Sequence, residues 1–120
     1  MSLSLDHSSV VFRVDAGKNI GVGHIMRCMA LAHEFARKGL EVVFAINSET
    51  ELFIQNRESF NYSYYVIEGQ ASEIEMRSLR GIIQSKKASV CILDGYHFDE
   101  PYRCEMKSLA QETNFIFVLL

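Results

Sequence analysis

Apolar positions along this chain follow two alternating regimes. In Ser9–Val14 (Ser-Val-Val-Phe-Arg-Val), Glu41–Ile46 and residues 62–67, 90–93 and 115–120, apolar, aromatic or β-branched residues follow one another with little interruption. Such runs predict strands buried on both faces, as in a parallel sheet covered on each side. Between them the apolar residues recur three or four apart. In 24–38, Ile25, Met29, Ala32 and Ala36 make one stripe, Arg37 and Lys38 fall in the last turn, and Gly39 follows as a C-terminal cap. Asn47 and Ser48 are placed to start a second helix running to about Arg57. Ser72, with Glu75 three residues on, has capping-box spacing for a third helix to about Lys87, weakened at Gly81. Pro101 suits the first turn of a fourth helix ending near Thr113. The order β-α-β-α-β-α-β-α-β predicts a Rossmann-like, doubly wound α/β domain with a parallel sheet. Residues 1–120 read as one such domain, without internal repeat, linker or low-complexity tract.

Composition narrows the partners. The chain has 120 residues, 48% of them hydrophobic and 22% charged, enough for one core and too apolar for a disordered chain. Twelve basic against 15 acidic side chains leave a net charge of −3, which argues against nucleic acid or an anionic membrane as partner. The longest apolar run, residues 115–120, is far short of the roughly 20 residues of a membrane span. The start, Met-Ser-Leu-Ser-Leu-Asp-His, lacks the features of a signal peptide, so a cytoplasmic protein is expected. Cys28, Cys91 and Cys104 are odd in number and form no CxxC pair, which speaks against a zinc knuckle. Cys28 and Cys91 sit in apolar context and read as core thiols. The last strand stops at Leu119-Leu120, which suggests a fragment of a longer protein.

In open α/β sheets, ligands bind outside the carboxyl ends of the strands. Asp15-Ala16-Gly17-Lys18-Asn19-Ile20-Gly21-Val22-Gly23-His24 links the first strand directly to a helix N-terminus. Gly21 and Gly23 allow a tight turn and close approach of a ligand, and free N–H groups of the first helical turn suit an anion. Met26 breaks the dinucleotide pattern GxGxxG, and no Gly-Lys-Ser/Thr triplet marks a nucleotide-phosphate loop. His24, at or beside the helix start, is a candidate general base or a helix cap, and Asp15 is placed to orient its ring. Arg27, one turn on, is either a ligand for an anion or a solvated side chain. After the fourth strand, Asp94-Gly95-Tyr96-His97 offers a carboxylate for a ligand hydroxyl and an aromatic phenol, or a turn with a packed tyrosine. His7, His33 and His97 have no supporting context, and neither cofactor nor metal is called for by these residues.

Residues 13–32, Arg-Val-Asp-Ala-Gly-Lys-Asn-Ile-Gly-Val-Gly-His-Ile-Met-Arg-Cys-Met-Ala-Leu-Ala, closely resemble the opening of the PseG family. Its members are UDP-sugar hydrolases of pseudaminic acid biosynthesis, grouped with SpsG-type spore-coat polysaccharide proteins. Ile-Leu-Asp-Gly-Tyr, 92–96, resembles a second family segment, an apolar strand followed by Asp-x-Tyr. Gly17 stands where the family usually has serine. The resemblance implies the N-terminal half of a two-domain, glycosyltransferase-B-like protein whose C-terminal half supplies most of the nucleotide site. It implies a UDP-2,4-diacetamido-2,4,6-trideoxy sugar as substrate, with His24 activating water at the anomeric carbon. Asp15, Gly21, Gly23, Arg27, Asp94 and Tyr96 are the expected substrate-binding positions. Two other readings stand beside it: a related sugar transferase, in which His24 deprotonates an acceptor hydroxyl, and a non-catalytic sugar-binding domain.

Overall fold

The computed structural model describes residues 8–67, 72–95 and 98–120. His7, Tyr96, His97, the loop after the third strand at 68–70 and the expected Ser72 side-chain cap lie outside the described residues. The chain folds as β1 (Ser9–Val14), α1 (Gly23–Arg37), β2 (Glu41–Ile46), α2 (Ser48–Gln55), β3 (Ser63–Val66), α3 (Ser72–Ser85), β4 (Ala88–Asp94), α4 (Glu100–Thr113) and β5 (Ile116–Leu119). All neighbouring strands are parallel, in the order β3-β2-β1-β4-β5. The expected doubly wound α/β architecture is what forms.

Alternation along the strands explains the two covered faces. Val10, Phe12 and Val14 of β1 point with Phe44 and Ile46 into a core closed by Ile25, Cys28, Met29 and Ala32 of α1 and Ile54 of α2. Val11, Val43, Ala45, Cys91 and Leu93 point the other way, into a core closed by Met76, Leu79 and Ile83 of α3 and Tyr102, Met106 and Leu109 of α4. The chain winds outward from β1 through β2 to β3, then crosses back to β4 on the other side of β1. The carboxyl ends of β1 and β4 therefore flank the point where the winding reverses, with Val14 paired to Asp94.

Boundaries differ from the sequence expectation in a few places. The α1 stripe runs through Cys28 and ends on the half-buried Phe35, while Ala36 is exposed, because 3.6 residues per turn carries the buried line round the helix. Helix α2 ends at Gln55, and β4 begins at Ala88 after Lys87 turns with φ of 51°. Gly81 does not interrupt α3. Gly39 takes φ of 89° and its N–H donates to the Ala36 carbonyl, the expected end of α1. Pro101 lies in the first turn of α4, which Asp99 caps by accepting from the Tyr102 N–H at 3.1 Å.

Asn47 caps α2 by accepting from the Thr50 N–H at 2.8 Å, while its own N–H donates to Asp15 Oδ1 at 2.8 Å. Asn47→Ala removes the cap but keeps the backbone donor. It is expected to cost about 1 kcal/mol, read as a shift of the urea midpoint with unchanged slope.

Candidate active site at the carboxyl ends of β1 and β4

The loop from Asp15 to Gly23 is folded, not open. Gly17 and Gly21 exchange backbone hydrogen bonds, the Gly17 N–H to the Gly21 carbonyl at 3.2 Å and the Gly21 N–H to the Gly17 carbonyl at 2.7 Å. Gly21 has φ of 81°, a left-handed conformation that favours glycine, so the turn itself accounts for that residue. Gly23 is different. Its φ is not positive, and a Cβ there would meet open space. Among the described residues, packing gives no reason for glycine at the first residue of α1.

Helix α1 begins at Gly23 after Val22, whose side chain has no polar atom to cap it. The N–H groups of Gly23, His24 and Ile25 have no acceptor within the helix, so the positive end of α1 favours an anion. His24 is the second helical residue and does not cap the helix. Its Nδ1 lies 2.7 Å from Asp94 Oδ1, across 70 positions of sequence. The carboxylate against His24 Nδ1 is thus that of Asp94 and not, as expected, that of Asp15.

Asp94 is fully buried, and α1 surrounds it with donors. Arg27 donates from Nη2 to Oδ1 at 2.7 Å and from Nε to Oδ2 at 3.0 Å. Cys28 donates from Sγ to Oδ2 at 3.5 Å. Burial alone would push the Asp94 carboxyl up, but the bonds from Arg27, His24 and Cys28 outweigh it and hold its pKa below the ordinary value. Burial and the Asp94 charge push the Cys28 thiol far up, so it stays protonated and donates. The Arg27 side chain remains half exposed, its charge shared between Asp94 and the surface. Both alternatives for Arg27 are therefore modified: it is partly solvated, yet anchored. Asp94, expected as a carboxylate for a ligand hydroxyl, is here engaged by His24, Arg27 and Cys28 of α1.

A second buried network holds the loop from the other face of β1. Arg13, 1% exposed, donates from Nη1 to Asp15 Oδ1 at 2.7 Å and from Nη2 to Glu75 Oε1 at 2.6 Å. Its guanidinium also sits 5.2 Å from the centre of the Phe98 ring. Burial works against the charge, but the two carboxylates outweigh it and raise the Arg13 pKa. Asp15 is itself buried, and its Oδ1 also accepts from the Thr50 hydroxyl at 3.3 Å. Thr50 Oγ1 in turn accepts from the Ala16 N–H at 2.8 Å, and Glu49 Oε1 accepts from the Lys18 N–H at 3.0 Å. Asp15 is thus a fastening for the glycine loop. A Cβ at Gly17 would meet the Glu49 carboxyl group, so a serine there requires that flexible end to swing away from Lys18.

Sequence reasoning missed Arg13, Cys28, Thr50 and Glu75. The signal for Arg13 was present: a charge inside an otherwise continuous apolar strand must be paired if the strand is buried. For Cys28 the signal was its helical spacing of four from His24, with Arg27 at three. Among the described residues, no group of three or more His, Cys, Asp or Glu side chains is placed to hold a metal ion, and no helix is long and apolar enough to cross a membrane. No protein-family model matches this chain, and no curated protein matches it.

Proposed function

We propose that this chain is the N-terminal, substrate-activating half of a nucleotide-sugar hydrolase that releases UDP from a 2,4-diacetamido-2,4,6-trideoxy hexose in the cytoplasm. The resemblance of residues 13–32 and 92–96 to the PseG family suggests the substrate. The observation that carries the reading is the pairing of His24 with a buried carboxylate at an uncapped helix N-terminus, beside the reversal point of the sheet. On this reading the His24 ring takes a proton from water as the water oxygen attacks the anomeric carbon. The bond from that carbon to the diphosphate oxygen breaks, UDP leaves with the electron pair, and the configuration inverts. The Gly23–Ile25 N–H groups and the exposed part of Arg27 favour negative charge that grows on the departing group. Asp15 and Gly21 keep the loop in shape, Tyr96 remains a sugar-binding position only as the family resemblance implies, and a C-terminal nucleotide-binding domain supplies the rest of the UDP site.

The test is UDP release from the UDP-linked sugar by protein that includes this chain and whatever its reading frame encodes beyond Leu120. Release without any acceptor supports hydrolysis. Release only with an acceptor sugar makes the protein a transferase, and binding with no release makes it a sugar-binding domain.

Gly23→Ala separates ligand approach from folding. Alanine is the better helix former by about 0.5–1 kcal/mol in a helix interior, and the Cβ has room. The melting temperature is expected to hold or rise, while turnover falls at least about tenfold because the methyl group stands over the anion site. Unchanged turnover would detach Gly23 from ligand binding.

A further inference from the structure

We propose that Asp94 is the positioning residue of His24: it holds the ring proton on Nδ1, so that Nε2 is the nitrogen carrying the lone pair. The catalytic consequence rests on the function proposed above, but the geometry does not.

Three features point to this role. First, the bond is short, 2.7 Å from Nδ1 to Oδ1, and Asp94 is fully buried. An ionised carboxylate only accepts, so the hydrogen between the two groups belongs to the imidazole. Second, the carboxylate cannot rotate away. Asp94 is the last residue of β4, its backbone is held in register with Val14, and Arg27 grips both oxygens through Nε and Nη2. With Cys28 on Oδ2, each oxygen accepts two bonds, one of those four from His24. Third, His24, Arg27 and Cys28 stand at spacings of three and four on one face of α1, so a single turn of helix delivers every one of these donors. Arg27 thereby acts on the ring through Asp94. It keeps the carboxylate ionised, and an ionised carboxylate prefers the tautomer with hydrogen on Nδ1.

This predicts a hydrogen-bonded pair resembling the carboxylate–imidazole half of a catalytic triad, where the carboxylate orients the ring and does not itself take the proton. The Asp94 oxygens accept from α1, so on this proposal Asp94 acts through His24.

The ring tautomer is measured directly in long-range ¹H–¹⁵N spectra of the labelled 120-residue chain, at a pH where the ring is neutral. The His24 signals are those that vanish in His24→Asn. In the wild type the protonated nitrogen is expected to be Nδ1. In Asp94→Asn, the amide removes the charge and can donate to the ring, and signals of the Nε2–H tautomer are expected to gain intensity. Turnover of the UDP-sugar by the longer protein should fall by about 10²–10³ with KM little changed. A wild-type ring protonated on Nε2 overturns the proposal, whether or not Asp94→Asn folds. So does a folded Asp94→Asn protein that keeps Nδ1–H and normal turnover. If the tautomer behaves as expected but no UDP-sugar is turned over, the positioning role stands and the function proposed above falls.

Discussion

Turnover of the UDP-sugar is expected to fall by about 10²–10⁴-fold when His24 is replaced by asparagine, with substrate affinity little changed. Asparagine removes the titratable nitrogen and keeps a short polar side chain. Its amide N–H can still donate toward Asp94, so the buried carboxylate is not stranded. The alternative role for His24, a helix cap, would have made asparagine a good replacement. In the structure that alternative has no place, because α1 starts at Gly23 after Val22 and the His24 ring is engaged with Asp94. Stability should therefore move by less than about 1 kcal/mol, within the range of changes that strand no buried group. The rate of UDP release measured beside a melting curve separates the outcomes. Near-normal turnover in a folded His24→Asn protein would remove the imidazole from the chemistry and leave the loop as a binding feature.

The largest expected effect on stability is at Arg13. Arg13→Met keeps the volume and the apolar stem but withdraws the cation from between Asp15 and Glu75. Asp15 is 2% exposed, so its charge would remain in a poorly solvated place without the cation that faces it at 2.7 Å. Breaking a buried ion pair in this way typically costs about 3–5 kcal/mol, a large share of the roughly 5–15 kcal/mol that holds a domain together. Replacing the network as a whole should cost less. Adding Asp15→Asn and Glu75→Met to Arg13→Met is expected to recover part of the loss, because no uncompensated charge then stays inside. Urea unfolding followed by circular dichroism measures both. A loss below about 1 kcal/mol for Arg13→Met alone would mean that water reaches the carboxylates and the network is not sealed.

The two networks lie back to back across β1 and β4. Arg13 points to the α3 and α4 side, where Glu75 and Phe98 meet it, and Asp94 points to the α1 side. One fastens the base of the glycine loop, the other fastens the first turn of the helix that follows it. The site thus rests on rigid strand ends and not on the loop alone, which is what holding a reactive side chain within a few tenths of an ångström requires.

Much of the fold was legible in the chain itself. Continuous apolar runs such as Val90 to Leu93 and striped segments such as Ile25, Met29 and Ala32 report burial on two faces or on one, and that periodicity is local. Caps at Asn47 and Gly39 and the placement of Pro101 are likewise decided within a few residues, by backbone conformation and free N–H groups. The glycine loop and His24 were visible for the same reason, since a strand, a loop and a helix start follow one another directly. The partner of His24 was not. Asp15 is near in sequence, but Asp94 becomes the neighbour because the crossover from β3 to β4 lays residue 94 beside residue 14. Strand order and side-chain parity set that pairing, and both depend on contacts between residues far apart in the chain. Arg13 shows the same limit from the other side. Its position in a buried strand announces that it must be paired, but Glu75 becomes its partner only once α3 packs across the sheet, where desolvation makes an unpaired guanidinium untenable.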